Sequence, residues 1–212
     1  MKLYTYFRSS AAYRVRIALS VKGLAYEPAF VHLLKAEQAS PAYRSVNPMG
    51  LVPALEDDGR VLAQSLAIIE YLDETKPGPK LLPADPADRA YVRAFSQIIA
   101  CEIHPLNNLR VLNHLRKAYG KSEDDIKTWY RHWIAEGFAM MEGFLAKERR
   151  YGKFCLGDKV TMAECCLVPQ VYNAQRYKCD LSPYPIVKGI NEECLKLESF
   201  RRAAPESQPD AS

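Results

Sequence analysis

The chain has 212 residues, 48% of them hydrophobic and 25% charged; at about 150 residues per domain, that length predicts one large domain or two small ones. Such a composition supports a real core and excludes a disordered or low-complexity protein. The 29 basic and 25 acidic side chains leave a net charge of +4, too small and too scattered to predict a nucleic-acid partner but compatible with anionic small molecules.

The start, Met1 to Phe7, shows neither a long apolar run nor a small-residue cleavage pattern, so no signal peptide is expected. No stretch approaches the ~18 apolar residues of a membrane span. The six cysteines, Cys101, Cys155, Cys165, Cys166, Cys179 and Cys194, have no C-x-x-C spacing. Neither a disulfide framework nor a zinc site fits them, and free thiols in a reducing cytoplasm are expected.

Lys2 to Tyr6 alternates as a strand does, with Leu3 and Thr5 on one face. Ser9 or Ser10 then caps a helix in which Ala11, Val15, Ala18 and Leu19 recur at helical spacing, and Gly23 stops it. Ala25 to Leu33 reads as a second strand, and Gln38 to Ser45 as a short helix ending before Asn47-Pro48. Leu51 to Leu55 and Arg60 to Ala63 form a hairpin around a Gly59-containing turn. Ser65 next caps a helix whose Leu66, Ile69 and Leu72 share a face.

Lys76 to Pro86 carries four prolines and a glycine in eleven residues, which reads as an interdomain linker. Beyond it only amphipathic helical stretches recur, roughly Asp88 to Tyr119, Asp124 to Arg149, Met162 to Arg176 and Tyr184 to Arg202. Pro105 predicts a break inside the first. Thr161 and Glu164 have the spacing of a capping box, a folding signal rather than a catalytic one. The polar tail from Pro205 is expected to fray.

Three segments of the first part sit where elements begin or end. Tyr6-Phe7-Arg8-Ser9-Ser10 places hydroxyls at a helix N-terminus, where unpaired N–H groups and the dipole favour negative charge. A thiolate held beside Ser9 would gain a hydrogen bond and its pKa would fall; an ordinary N-cap is the competing reading. Val52-Pro53 enters a strand, and a cis bond there would turn the Val52 backbone toward an extended, peptide-like ligand; spacing does not decide the isomer. Gln64-Ser65 starts another helix and suits a carboxylate, again with a plain serine cap as the alternative. Together these features suit a short anionic peptide that carries a thiol.

Tyr6-Phe-Arg-Ser-Ser-Ala-Ala-Tyr-Arg-Val-Arg-Ile-Ala-Leu resembles the signature of the zeta-class glutathione transferases. Asn47-Pro-Met-Gly-Leu-Val-Pro-Ala-Leu, Gln64-Ser-Leu-Ala-Ile-Ile-Glu-Tyr-Leu, Leu81-Leu-Pro-Ala-Asp-Pro, Gly157-Asp-Lys-Val-Thr-Met-Ala-Glu and Asn173-Ala-Gln-Arg-Tyr-Lys-Cys-Asp-Leu-Ser-Pro-Tyr-Pro are similar to further segments of that class, so the likeness runs essentially end to end. The resemblance implies an α/β plus all-α chain, with a thioredoxin-like domain over residues 1–80 and an all-helical domain over 81–212. It also implies a homodimer that uses glutathione; the cysteines, charge and hydropathy read above add a cytoplasmic location with no nucleic-acid or membrane partner expected. Ser9 and Ser10 would lie near the sulfur, Gln38 and Val52 along the peptide, and cis-Pro53 would shape that loop. Gln64 and Ser65 would take the γ-glutamyl carboxylate, and His104 and Asn108 are further candidate glutathione contacts.

The activity implied is isomerisation of a small cis dicarboxylate, maleylacetoacetate, to its trans form. Maleylpyruvate is the alternative substrate; conjugating or dehalogenating transfer is the alternative chemistry. Such a reaction needs a lowered thiol pKa, grips on two carboxylates and a stabilised enolate. Arginine's planar fork suits the last two. By the resemblance Arg176 is the substrate-carboxylate anchor; Arg8 is the candidate for the enolate, and Arg110 for the second carboxylate. Two departures from the family matter. Ala11 stands where a cysteine is usual, which leaves Ser9 and the helix dipole to act on the sulfur. His104 and Arg110 replace the glutamine and serine of animal-type relatives, which resembles bacterial isomerases. A partner-binding module without catalysis would be expected to lose the serine and the Gln64-Ser65 pair, and a dithiol oxidoreductase needs cysteines the helix start lacks.

Overall fold

Leu3 and Thr5 are buried while Lys2 and Tyr4 are only partly so, the two-residue period of a strand with one face on a core. The structure is a computed structural model, described for residues 1–211. The chain forms two units, one of Met1–Leu82 together with the residues from Leu195 on, the other of Pro83–Cys194. The domain limits expected from the sequence, 1–80 and 81–212, differ from these units mainly in where the last segment belongs.

In the first unit the order is β1 (Lys2–Thr5), α1 (Ser10–Val21), β2 (Glu27–Phe30), α2 (Pro41–Val46), β3 (Ala54–Asp57), β4 (Arg60–Ala63) and α3 (Ser65–Thr75). The sheet order is β2-β1-β3-β4. β1 pairs parallel with β2, Leu3 facing Pro28, and antiparallel with β3, Leu3 facing Leu55. Parallel pairing requires the crossover that α1 supplies, and the order of elements is the one the sequence predicts. β2 is shorter than the expected Ala25 to Leu33. It is an exposed edge strand containing Pro28, a place where a missing N–H is tolerated, and the chain turns off it into a 3-10 turn capped by His32. The second predicted helix also starts later than Gln38: Ser40 caps it and Pro41 occupies its first turn, the position proline prefers.

The proline-rich segment is held by the first unit. Lys22 and Asp73, both with buried side chains, form an ion pair at 3.7 Å. Lys22 also donates to Pro79 O at 3.1 Å, and Asp73 accepts from Leu81 N–H at 2.6 Å. The tail corrects the expectation of fraying. Helix α9 (Glu198–Ala203), numbered in chain order, packs on α1. Gln208 Nε2 then donates to Arg202 O and Ala204 O, and Asp210 accepts from Phe7 N–H at 2.9 Å. A polar sequence frays only where its polar groups find water alone, and these find backbone.

The second unit is helical: α4 (Pro86–Gln97), α5 (Leu109–Tyr119), α6 (Glu123–Glu148), α7 (Met162–Arg176) and α8 (Pro185–Lys196). Asp85 caps α4, Ser122 and Asp125 form a capping box on α6, and Thr161 and Glu164 form the predicted box on α7. The break predicted at Pro105 is preceded by a π-helical turn, Ile98–Ile103. Gly137 of α6 faces that turn so closely that a Cβ would lie 2.2 Å from Ile103 Cδ1. The last predicted stretch is two helices, α8 and α9, parted at Leu197. Among the described residues no helix is long and apolar enough to cross a membrane.

Candidate active site

The turn from β1 into α1 puts Arg8, Ser9 and Ser10 side by side. Ser9 is the N-cap: its extended backbone lets Oγ accept the Ala12 N–H at 3.2 Å, while Ser10, buried, opens the helix. The Ser9 hydroxyl proton has no acceptor among the described residues. One lone pair therefore caps the helix while the proton remains available to a ligand. The Arg8 guanidinium lies 5.1 Å from the Phe7 ring centroid and donates to Tyr6 Oη at 3.3 Å.

Tyr6 and Val52 share a buried cluster with Val31 and Tyr43, so this turn and the Val52-Pro53 loop are neighbours. The Val52–Pro53 bond is cis. Two side chains pin the residue before it: Tyr43 Oη and Asn47 Nδ2 donate to Leu51 O at 2.7 and 2.8 Å. Burial pushes the Tyr43 phenol up to about 12, so it stays a donor at neutral pH. Neither backbone group of Val52 is engaged by another described residue.

Gln38 reaches the same loop. Its carbonyl would lie 3.0 Å from a Cβ on Gly50, whose φ is +62°, so glycine is needed there both for the close approach and for the left-handed backbone. The Gln38 side-chain oxygen Oε1 is buried and has no partner among the described residues. An amide oxygen in that state costs free energy unless a ligand donor meets it. Gln64, exposed, sits near Met49 through Nε2 and Sδ at 3.7 Å.

At α3 the cap assignment changes. Gln64, with φ +70°, is the N-cap and Ser65 is already helical. Ser65 Oγ instead accepts from Arg14 NH1 at 3.2 Å in a buried contact. The first ladder bond runs from Ile68 N–H to Gln64 O at 2.9 Å. The N–H groups of Ser65, Leu66 and Ala67 precede it, an arrangement that favours a carboxylate.

In the second unit, Asn108 caps α5 by accepting from Arg110 N–H at 3.1 Å. Its Nδ2 lies 3.4 Å from His104 Nε2. The Arg110 side chain is exposed. Arg176, also exposed, ends α7 with NH1 3.4 Å from Asn173 Oδ1 and its guanidinium 5.7 Å from the ring centroid of Tyr177, which stacks on Tyr130 at 3.5 Å. His104, Asn108 and Arg110 thus share one stretch of chain, and Arg176 stands on another helix.

The N-terminal domain model of glutathione S-transferases matches residues 1–74. Maleylacetoacetate isomerase of Mus musculus is 48% identical over 98% of this chain and 94% of its own length. The structure of a bacterial maleylpyruvate isomerase, a zeta-class glutathione transferase, is 48% identical, covers all of both chains and superposes with a TM-score of 0.97. The chain belongs to the zeta class of glutathione transferases. A third relative, maleylacetoacetate isomerase of Methylobacterium extorquens AM1, has malonate and glutathione bound; it is 42% identical over the whole of both chains, with a TM-score of 0.97.

Three buried thiols of this zeta-class chain are not activated. Burial pushes Cys155, Cys165 and Cys194 up, which leaves them protonated and inert at neutral pH. Sequence reasoning missed residues that hold these segments: Tyr43 and Asn47, which donate to Leu51 O, Arg14 behind Ser65, and Arg16. Two arginines spaced two apart in an otherwise apolar helix are a legible anomaly. Both are buried, and a buried guanidinium is normally there to bind something.

Proposed function

We propose that the protein is a glutathione-dependent isomerase that converts maleylacetoacetate to fumarylacetoacetate in tyrosine and phenylalanine breakdown. The 48% identity to mouse maleylacetoacetate isomerase over nearly the full length of both chains carries this reading. A carbon–carbon double bond does not rotate until it becomes single, and glutathione, when bound, supplies a thiol that adds beside a carboxylate and leaves again. The unpartnered Gln38 Oε1, the uncommitted Ser9 proton and the open N–H groups at the start of α3 fit such a ligand.

In this reading Ser9, with Ser10 beside it, donates to the sulfur at the positive end of α1 and favours its ionised form. Gln38 and the Val52 backbone, shaped by Pro53, pair with the peptide, and Gln64 and Ser65 with the γ-glutamyl carboxylate. His104 and Asn108 are further glutathione contacts. Arg176 anchors one substrate carboxylate, Arg110 the second, and Arg8 steadies the enolate charge that develops during rotation. The family resemblance also supports a homodimer, and the free thiols suit a cytoplasmic location.

Incubation of the cis acid with a catalytic amount of glutathione, followed by ultraviolet absorbance, tests the proposal. Complete conversion with total free thiol unchanged is expected. Thiol consumed in step with turnover would mean a conjugating transferase instead. A second reading, maleylpyruvate as substrate, draws on His104 and Arg110 and on the 48% identity to the zeta-class maleylpyruvate isomerase. Comparison of kcat/KM for the two acids decides between them.

A further inference from the structure

We infer that Asp210, near the chain's C-terminal end, is a positioning residue for the turn that carries Arg8 and Ser9. The inference rests on the function proposed above. The peptide between Tyr6 and Phe7 is gripped on both edges. Its N–H donates to Asp210 Oδ2 at 2.9 Å, across 203 positions of sequence. Its carbonyl accepts from Ser9 N–H at 3.0 Å and from Arg16 NH1 at 3.3 Å. The next carbonyl, Phe7 O, accepts from Arg16 NH2 at 2.9 Å, and Arg16 Nε reaches back to Ala203 O at 3.1 Å. A buried guanidinium and a carboxylate from the tail therefore fix the plane of one peptide just ahead of Ser9.

The carboxylate's other oxygen, Oδ1, is buried and has no partner among the described residues. Among the described residues Asp210 thus makes one side-chain hydrogen bond, a charge-assisted one to this N–H, and such bonds are about twice as strong as neutral ones. The Tyr26 phenol feels the charges of Arg16, Arg202 and Asp210, which places these groups in one neighbourhood. The tail does not depend on Asp210 for its place, because Gln208 holds it to Arg202 O and Ala204 O independently. Loss of the carboxylate would loosen the turn while the tail stays docked. Small misplacements of a catalytic group are costly, of order a hundredfold per ångström.

The test uses the full chain with Asp210→Ala and Asp210→Asn. It reads the ultraviolet titration of enzyme-bound glutathione, kcat, the KM for glutathione and the thermal midpoint. In Asp210→Ala the bound thiol should ionise about half a pH unit higher, and kcat at neutral pH should fall roughly fivefold to tenfold, with little change in the KM for glutathione. Asp210→Asn, which retains an oxygen to accept the Phe7 N–H, should recover most of the loss. Wild-type ionisation and kcat in Asp210→Ala would overturn the inference, as would an Asn variant no better than the Ala one. A lowered thermal midpoint with kcat intact would do so too. If the wild-type protein ionises bound glutathione no more readily than buffer does, the proposed function fails and this inference falls with it.

Discussion

Replacing Ser9 by alanine removes an acceptor and a donor together. The acceptor is the N-cap of α1, 3.2 Å from Ala12 N, and its loss should cost about 1 kcal/mol of stability. For a chain of this size that lowers Tm by about 2–4 °C. The donor is the hydroxyl proton. A hydrogen bond from it to a bound thiolate is worth about 1.5–3 kcal/mol, which at 1.4 kcal/mol per tenfold is roughly a 10- to 150-fold loss of kcat. Glycine is nearly as good an N-cap as serine, within a few tenths of a kcal/mol, yet has no donor. Ser9→Gly should therefore match Ser9→Ala in rate while staying close to wild type in Tm, and Ser9→Thr should retain both. Calorimetry and initial rates on the three variants separate the two roles. Full activity in Ser9→Gly would refute the donor assignment and move attention to Ser10.

Arg176→Ala should raise the KM for the enedioate several-fold more than that for glutathione, measured with each varied in turn; equal rises would mean that the arginine acts only by supporting Tyr177. Gly137→Ala would place a Cβ 2.2 Å from Ile103 Cδ1, and since Ile103 is fully buried the overpacking should cost about 1–3 kcal/mol. Ile103→Ala in the same chain should relieve that cost in a double-mutant cycle, whereas strict additivity would rule out the clash. Asp57 is buried beside Lys76, and their hydrogen bond holds its carboxyl below the ordinary value of 3.8. Its folded-state pKa is depressed, so the stability it contributes is present above 3.8 and lost as pH falls below that through the folded-state value. Urea unfolding between about pH 5 and pH 2 should show a flatter decline in Asp57→Asn than in wild type.

What the sequence makes legible is what repeats or punctuates. The order of strands and helices follows from period-2 and period-3.6 patterns, and Pro105 and the Thr161–Glu164 box mark helix ends where the structure has them. The π turn before Pro105 is not legible, and its close packing on Gly137, which lies on another helix, is not legible either. The docked tail escapes as well: Asp210 and Gln208 look like solvated residues until their backbone partners are located. Capping is what serine does at a helix start, yet at α3 Gln64 adopts the cap position and Arg14 claims the Ser65 hydroxyl. No local pattern encodes a partner 51 residues away.

Ser9 is the more instructive position. From sequence, cap and thiolate partner compete, since each accounts for a serine at a strand-to-helix turn. A hydroxyl offers lone pairs and one proton, and the two roles draw on different parts of it. The Ala12 N–H occupies a lone pair, and doing so fixes Oγ at the end of α1 where the dipole favours an anion. Capping therefore aims the proton. A side chain left to rotate would lose entropy on meeting a thiolate, whereas one already held by a backbone N–H loses less. On this geometry the folding role and the proposed catalytic role would reinforce each other, which is why the rate loss and the stability loss must be measured on separate variants.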